Sequence, residues 1–225
     1  MRVLTWNLFH GRSRPPAGRA LLDEFAALLA SWSWDVALLQ EVPPWWGDAL
    51  SEAACAEQRT ALTSRNALLP LRRAVADRQP DLAKSNGGGA NVLLARAGIA
   101  TSRAVRLRRW PERRVAQIAR LDEGTVIANF HGSTRVPLAE EELRRLAAMT
   151  LAEAGGGPAV LGGDLNLRAP RPPDPLVHVA VRDVDHLFAA GLQRVGEAVL
   201  HDRRVPGGTQ VLELSDHPPL EAELR

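Results

Sequence analysis

The order of segments along this chain predicts an α/β fold with mixed sheets. Three observations lead there. The chain opens as strand, helix, strand, which is the βαβ pattern of a parallel pair. Its middle is a run of short strand-like segments with brief links. A long amphipathic segment then leads into another buried apolar run.

Val3 to Phe9 is rich in strand formers and reads as a strand ending near Asn7. RSRPPAGR is a turn-rich connector. From Ala20 to Trp32, Leu21, Leu22, Phe25, Leu28 and Leu29 recur at helical spacing. DVALLQE is a short apolar run that suits a buried parallel strand. Pro43 and Pro44 stop it, and a second helix is expected from Trp46 to Gln58. Residues 60–85 carry no clear period. SNGGGAN reads as a glycine-rich loop or hairpin turn. NVLLAR, RAVRLRR, RRVAQIARL and TVIANFH then read as an antiparallel set, with LDEG as a hairpin turn. Pro137 to Ala154 is an amphipathic helix with Leu138, Leu143, Leu146, Ala147, Met149 and Leu151 along one side, and AGGGP ends it. PAVLGGDLN is another buried strand, APRPPDP a loop, and VDHLF, RVGEAVL and PLEAEL short strands. No repeat or linker interrupts the order, so one domain over residues 1–225 is expected.

Composition narrows the function class. Apolar residues make up 45% and charged residues 24%, which is ordinary for a soluble globular protein. The net charge is +2, carried almost wholly by arginine, since Lys84 is the sole lysine. Such a skew, with abundant Ala, Gly and Pro, fits a GC-rich genome and permits a phosphate-bearing partner without demanding one. Cys55 is the single cysteine, which excludes an intramolecular disulfide and a cysteine-rich zinc site. No run approaches the roughly 18 apolar residues of a membrane helix. A soluble, cytoplasmic, monomeric protein without integral membrane association is expected. There is no GxxxxGK[ST], HExxH or GxSxG, so a P-loop site, a zincin and an α/β-hydrolase are set aside.

Chemistry-bearing residues stand where apolar strands end: Asn7, Glu41, His131, Asp164 with Asn166, and Asp216 with His217 just before the last strand. In open α/β sheets, ligands gather beyond the carboxyl ends of strands. Hard oxygen ligands such as Glu41, Asp216 and the Asn7 amide suit Mg²⁺ or Mn²⁺. A divalent cation offsets the phosphoryl charge that repels a nucleophile. Asp164 can align or deprotonate a water, and His217 can stabilise or protonate a phosphoryl oxygen. A second carboxylate such as Asp185 would set the His217 tautomer and raise its pKa. Singly, each residue has a structural alternative: a cap, a turn or a half-buried histidine. Trp45 and Trp46 can form a stacking wall for a base, sugar or headgroup, or pack beneath a loop. The arginines from Arg103 to Arg120 can track a nucleic-acid backbone, or be a solvated strand face. His178 and His201 match no motif.

TWNL, LLQE, a late histidine after a strand, GGDLN, VDHLF and SDHPPL, in that order, resemble the endonuclease/exonuclease/phosphatase superfamily. The resemblance spans Asn7 to His217. It implies a four-layered α/β sandwich, with two mixed β-sheets face to face and helices outside. It implies a metal-dependent hydrolase of phosphate esters, a phosphodiesterase in the first instance, with nucleic acid among the candidate partners. A phosphomonoesterase or phospholipase-type enzyme is the alternative. By position, Glu41 would be the main metal ligand with Asn7 beside it, and Asp216 would assist. Asp164 and Asn166 would place the water and the phosphate, flanked by His131 and His217. Asp185 would hold His217, with Asp183 as a rival, and Arg114 or Arg113 would face phosphate. The chain has no tyrosine, so the phosphate-contacting tyrosine of several such nucleases is missing.

Overall fold

The computed structural model describes residues 1–63, 68–78, 81 and 89–225. In chain order its elements are β1 (Arg2–Asn7), β2 (Ser13–Arg14), α1 (Leu22–Ser31), β3 (Val36–Val42), α2 (Gly47–Ala54), β4 (Glu57–Leu62), α3 (Leu69–Arg78), β5 (Ala90–Ala95), β6 (Ile99–Arg108), β7 (Arg114–Leu121), β8 (Val126–His131), α4 (Val136–Ala154), β9 (Ala159–Asp164), β10 (Val177–Arg182), β11 (Asp185–Ala190), β12 (Arg194–Leu200), β13 (Arg204–Gly207), β14 (Gln210–Leu214) and β15 (Leu220–Leu224). The first sheet runs β12-β15-β1-β3-β5-β4 and the second β10-β11-β9-β8-β7-β6, with β13-β14-β2 as a small third. β1 pairs parallel with β3, as the opening βαβ pattern requires, and β8 pairs parallel with β9. The other pairings are antiparallel, so both large sheets are mixed.

Period-2 alternation divides each central strand between two cores. Val3, Val36, Leu38 and Leu93 of the first sheet meet Ile127, Val160 and Leu187 of the second, forming the layer between the sheets. Their sequence neighbours point outward. Leu4, Ala37, Leu39 and Val92 pack with Phe25, Leu29 and Leu50 of α1 and α2. Ala128, Phe130, Leu161 and Phe188 pack with Leu143 and Leu146 of α4. Helix, sheet, sheet, helix is the four-layered sandwich. β3, β5, β8 and β9 read as apolar runs because both faces are covered.

Helix α4 begins with Pro137 in its first turn, where the missing N–H costs nothing, and ends with Gly155 in the left-handed conformation at φ 60°. Helix α2 is shorter than expected. Cys55 turns left-handed at φ 50°, and the chain leaves as β4, so Gln58 belongs to a strand. Pairing with β5 across all six positions of β4 overrides a weak helical signal. Strand β5 also departs from expectation. It joins the first sheet, between β3 and β4, while β6, β7 and β8 form an antiparallel run in the second. SNGGGAN spans residues 85–91, of which 85–88 lie outside the described residues. No helix among the described residues is long and apolar enough to cross a membrane.

Candidate active site

Register explains why residues far apart in sequence share one end of the sandwich. The parallel pairing of β1 and β3 sets Asn7 beside Gln40, one residue before Glu41. The parallel pairing of β8 and β9 sets His131 opposite Asp164. The antiparallel pairing of β9 and β11 sets Asp164 opposite Asp185. β15 runs antiparallel to β1, so the Ser215–His217 turn at its start lies at the same end, as does Arg114 at the start of β7.

Asp164 is the hub. Its Oδ2 accepts a hydrogen bond from Asn7 Nδ2 at 2.8 Å, and its Oδ1 accepts one from the Asn166 backbone N–H at 3.0 Å. The same Oδ2 lies 3.5 Å from His131 Nε2 and 3.8 Å from His217 Nε2. Opposite stands Glu41, whose Oε1 is 3.9 Å from His131 Nε2. His217 Nδ1 meets Asp185 Oδ2 at 2.8 Å, which leaves Nε2 facing the cluster. Arg14 donates from Nη2 to Asp216 Oδ2 at 2.7 Å. Arg114 is almost buried and pairs with Glu112.

Supporting bonds hold these groups in place. Ser215 Oγ donates to the Asn7 carbonyl at 2.6 Å and accepts from His217 N at 3.0 Å. Trp6 Nε1 donates to the His217 carbonyl at 2.9 Å. Asn166 Nδ2 donates to the Gly132 carbonyl at 2.9 Å, tying the loop after β9 to the loop after β8. Buried Glu142 of α4 accepts from Ser133 N and Oγ, fixing the chain that follows His131. Behind the site, Asn129 Nδ2 donates to Leu39 O, Val92 O and Gln117 Oε1, and its Oδ1 accepts from Gln40, bridging the two sheets. Gly163 is obligatory: at φ 139°, a Cβ there would lie 1.8 Å from the Phe130 carbonyl oxygen.

Electrostatics follow from burial. Burial, then the Asp164 charge, pushes the Glu41 carboxyl up to about 7. Burial also raises Asp164, against the opposing pull of His217 and the Asn7 hydrogen bond. Burial holds His131 well below its ordinary 6.5, with Arg114 adding to the effect. Burial disfavours the His217 imidazolium too, but the Asp185 hydrogen bond and the carboxylates around it prevail and raise it to about 9. At neutral pH the site therefore holds neutral His131 and a cationic His217.

The donor set fits a divalent cation. Glu41 and Asp164 face each other with raised pKa values, as under-compensated negative charge requires. Asp216 Oδ1 is buried with no hydrogen-bond partner among the described residues. The Asn7 Oδ1 accepts from Phe9 N and keeps one lone pair. Asp164, Asp185 and His217 also offer ligand atoms within 4.8 Å of one another. There, however, the close His217–Asp185 bond is that of an orienting dyad.

Not every expected residue lies at this cluster. Trp46 is only 5% exposed; its indole packs against Phe25 and under Gly11, so it offers no stacking face. The core beneath the Leu8–Arg12 turn claims it. Three of the strand arginines are also spoken for. Arg103 pairs with Glu153, Arg108 with Glu141 and Glu142, and Arg120 donates to the Gly124 and Glu153 carbonyls, clamping α4 onto the sheet. Asp183 pairs with exposed Arg168 instead of His217. Sequence reading missed His10, whose Nε2 lies 3.1 Å from Glu41 Oε2, and the Gln40–Asn129–Gln117 bridge. The polar interruptions in LLQE and ANFH were the available signals for the bridge.

Comparison with known proteins bears on the fold and the family. The fold is similar to a crystal structure of an endonuclease/exonuclease/phosphatase from Beutenbergia cavernae, 21% identical, covering 100% of this chain and 71% of that one, with a TM-score of 0.67. It is similar to TDP2 from Caenorhabditis elegans, 16% identical over 99% of this chain and 73% of that one, TM-score 0.71. A mannosyl-6-phosphatase from Bacteroides thetaiotaomicron is 15% identical over 100% and 99% of the two chains, TM-score 0.72. No curated protein matched the sequence. At such identities the structures speak for the fold alone. Membership rests on the family profile, which matches residues 4–217 and so takes in every strand end at the site: the chain belongs to the endonuclease/exonuclease/phosphatase family.

Proposed function

We propose that this protein hydrolyses a phosphodiester with the help of Mg²⁺ or Mn²⁺, by in-line attack of an activated water. The observation that carries the reading is the convergence on Asp164 Oδ2 of Asn7, His131 and His217, with Glu41 facing them. Glu41, with Asp216 and the Asn7 amide, would hold the cation, which supplies charge neutralisation at the phosphoryl oxygens. Asp164, fixed by Asn7 and the Asn166 N–H, takes the proton of the attacking water. His217, kept cationic by Asp185, presents Nε2 to a phosphoryl or leaving-group oxygen. Neutral His131 offers a ring nitrogen to the phosphoryl group, and the charge of Arg114 reaches Glu41, Asp164 and His131.

A second reading, hydrolysis of a sugar, inositol or lipid phosphate, is favoured by one observation. Of the arginines that would track a nucleic-acid backbone, Arg103, Arg108 and Arg120 are engaged with α4 and its C-terminal end. The test is an activity panel with Mg²⁺ and Mn²⁺ on plasmid DNA, abasic duplex, a generic bis-phosphodiester and phosphomonoesters. Phosphodiester cleavage that EDTA stops and Glu41→Ala abolishes is the expected outcome. Turnover confined to phosphomonoesters, insensitive to salt, would select the second reading. Full activity in Glu41→Ala would remove both.

A further inference from the structure

His10 stands at the carboxylate cluster with no task in the chemistry above. It follows β1 in a turn where Phe9 and His10 are both left-handed, at φ 49° and 56°. A histidine held there costs about 1 kcal/mol or more, which surrounding structure must offset. The next residue, Gly11, has φ 76°, and a Cβ on it would lie 2.3 Å from Trp46 Cη2. Buried Trp46 thus seats the turn and with it the imidazole.

The His10 side chain is 12% exposed, and its Nε2 lies 3.1 Å from Glu41 Oε2. Yet Nε2 is shut off from solvent and has no hydrogen-bond partner among the described residues. The approach is therefore close without being directed as a hydrogen bond requires. A bare ring-nitrogen lone pair and a carboxylate oxygen so placed repel unless a proton or a cation lies between them, and here the direction is poor for an N–H to serve. Two cis ligands of an octahedral ion, with bonds of about 2.1 Å, stand about 3 Å apart. His131 Nε2 is further from Glu41, at 3.9 Å from Oε1, and nearer Asp164.

We propose that His10, through Nε2, is a nitrogen ligand to the divalent cation that Glu41 holds. The inference rests on the reading of Glu41 as a metal ligand. One nitrogen in an oxygen set favours Mn²⁺ and later divalent ions over Mg²⁺, which prefers oxygen and gives up water reluctantly.

The test is Mn²⁺ alone, added to the purified full chain and to His10→Gln, His131→Gln and Glu41→Gln, followed by pulsed electron paramagnetic resonance for ¹⁴N modulation. Nitrogen modulation is expected in the wild type and in His131→Gln, and is lost in His10→Gln. Mn²⁺ affinity in His10→Gln should fall about tenfold or more, with a smaller change for Mg²⁺. If His10→Gln does not fold, ¹⁵N-histidine labelling of the wild-type and His131→Gln proteins reports the same bond without altering His10. Mn²⁺ binding that depends on Glu41 but shows no nitrogen overturns this inference and leaves the Glu41 reading intact. Modulation that persists in folded His10→Gln also overturns it. Unchanged Mn²⁺ binding in Glu41→Gln overturns both.

Discussion

Replacing Asp185 with Asn isolates what holds His217 cationic. The substitution keeps the shape of the side chain and a hydrogen-bonding group opposite Nδ1, but removes the charge 2.8 Å away. Burial alone would lower His217; the Asp185 bond and charge are the largest influences raising it, from 6.5 to about 9. That rise corresponds to about 3 kcal/mol in favour of the imidazolium. In Asp185→Asn, His217 should titrate at or below its ordinary 6.5. The effect on stability has a definite sign. Between about pH 6.5 and 9 the folded protein binds a proton that the unfolded chain has released, so this contribution is complete below 6.5 and lost as pH rises through 9. The slope should disappear in the variant. The direct assay is ¹⁵N NMR of the imidazole against pH, with EDTA present so that no cation competes. Urea unfolding at pH 6 and pH 9 gives the linked stability. A His217 pKa near 9 in Asp185→Asn would refute the reasoning and shift the credit to Asp164 and Asp216.

Three further outcomes follow from the same geometry. Asp164→Asn should cost about 10²–10⁴ in kcat. It should not lower the urea midpoint, because burial already disfavours the Asp164 charge in the folded state; a folded variant with full activity would exclude Asp164 as the base. Asn129→Ala removes the amide that serves Leu39 O, Val92 O, Gln117 and Gln40, and should cost about 2–4 kcal/mol by urea unfolding; a loss below about 1 kcal/mol would mean that water replaces it. Gly163→Ala meets the Phe130 carbonyl oxygen at 1.8 Å and should cost more than about 4 kcal/mol, read as loss of soluble folded protein or a collapsed melting temperature.

How much was legible in the sequence depended on whether a signal was local. The apolar runs of β3, β8 and β9 and the stripe of α4 stand out because burial on both faces, or along one helix side, leaves a regular pattern. Sheet membership is not local, which is why β5 was grouped with β6 to β8 although its partners are β3 and β4. β13 and β14 went unread because Pro206 and two adjacent glycines mask strands of four and five residues. At the candidate site, Asn7, Glu41, His131 and Asp164 stand out as polar residues near the ends of apolar strands, and His217 as one just before the last strand. His10 does not, since it lies beyond the strand in FHGR, and a left-handed turn alone returns it to Glu41. Trp46 misled for the converse reason. Its place beside Glu41 in sequence suggested a wall, while the cavity beneath Gly11 required a large apolar side chain.

The strained residues show what the sandwich does for its chemistry. Of the non-glycine residues with positive φ, Phe9, His10, Glu41, Asn166 and Ser215 all belong to loops or bulges that bound the site. Each costs on the order of 1 kcal/mol or more, and such strain persists only where its surroundings over-determine it. Those surroundings are identifiable: Phe9 N on Asn7 Oδ1, Asn166 bonded at its amide and its backbone, and Ser215 shared between Asn7 and His217. The β3 bulge between Leu39 and Val42 places Glu41 toward the site, with Gln40 anchored to Asn129 in the opposite sheet. Two raised carboxyls and an orphaned carboxylate oxygen then remain close together where a chain left to itself would separate them. Repulsion held in place by a rigid frame is the condition under which a bound cation and a phosphoryl group gain most from the site, and it is also why Glu41→Gln should raise the stability of the metal-free protein while removing its activity. At pH 8 that gain should reach about 3 kcal/mol, since Glu41 is disfavoured as a charge from its ordinary 4.5 up to about 7. Urea unfolding in EDTA would measure it. A Glu41→Gln protein less stable than wild type at pH 8, yet equal to it at pH 4, would show that the carboxylate is held by attraction and that the frame stores no strain there.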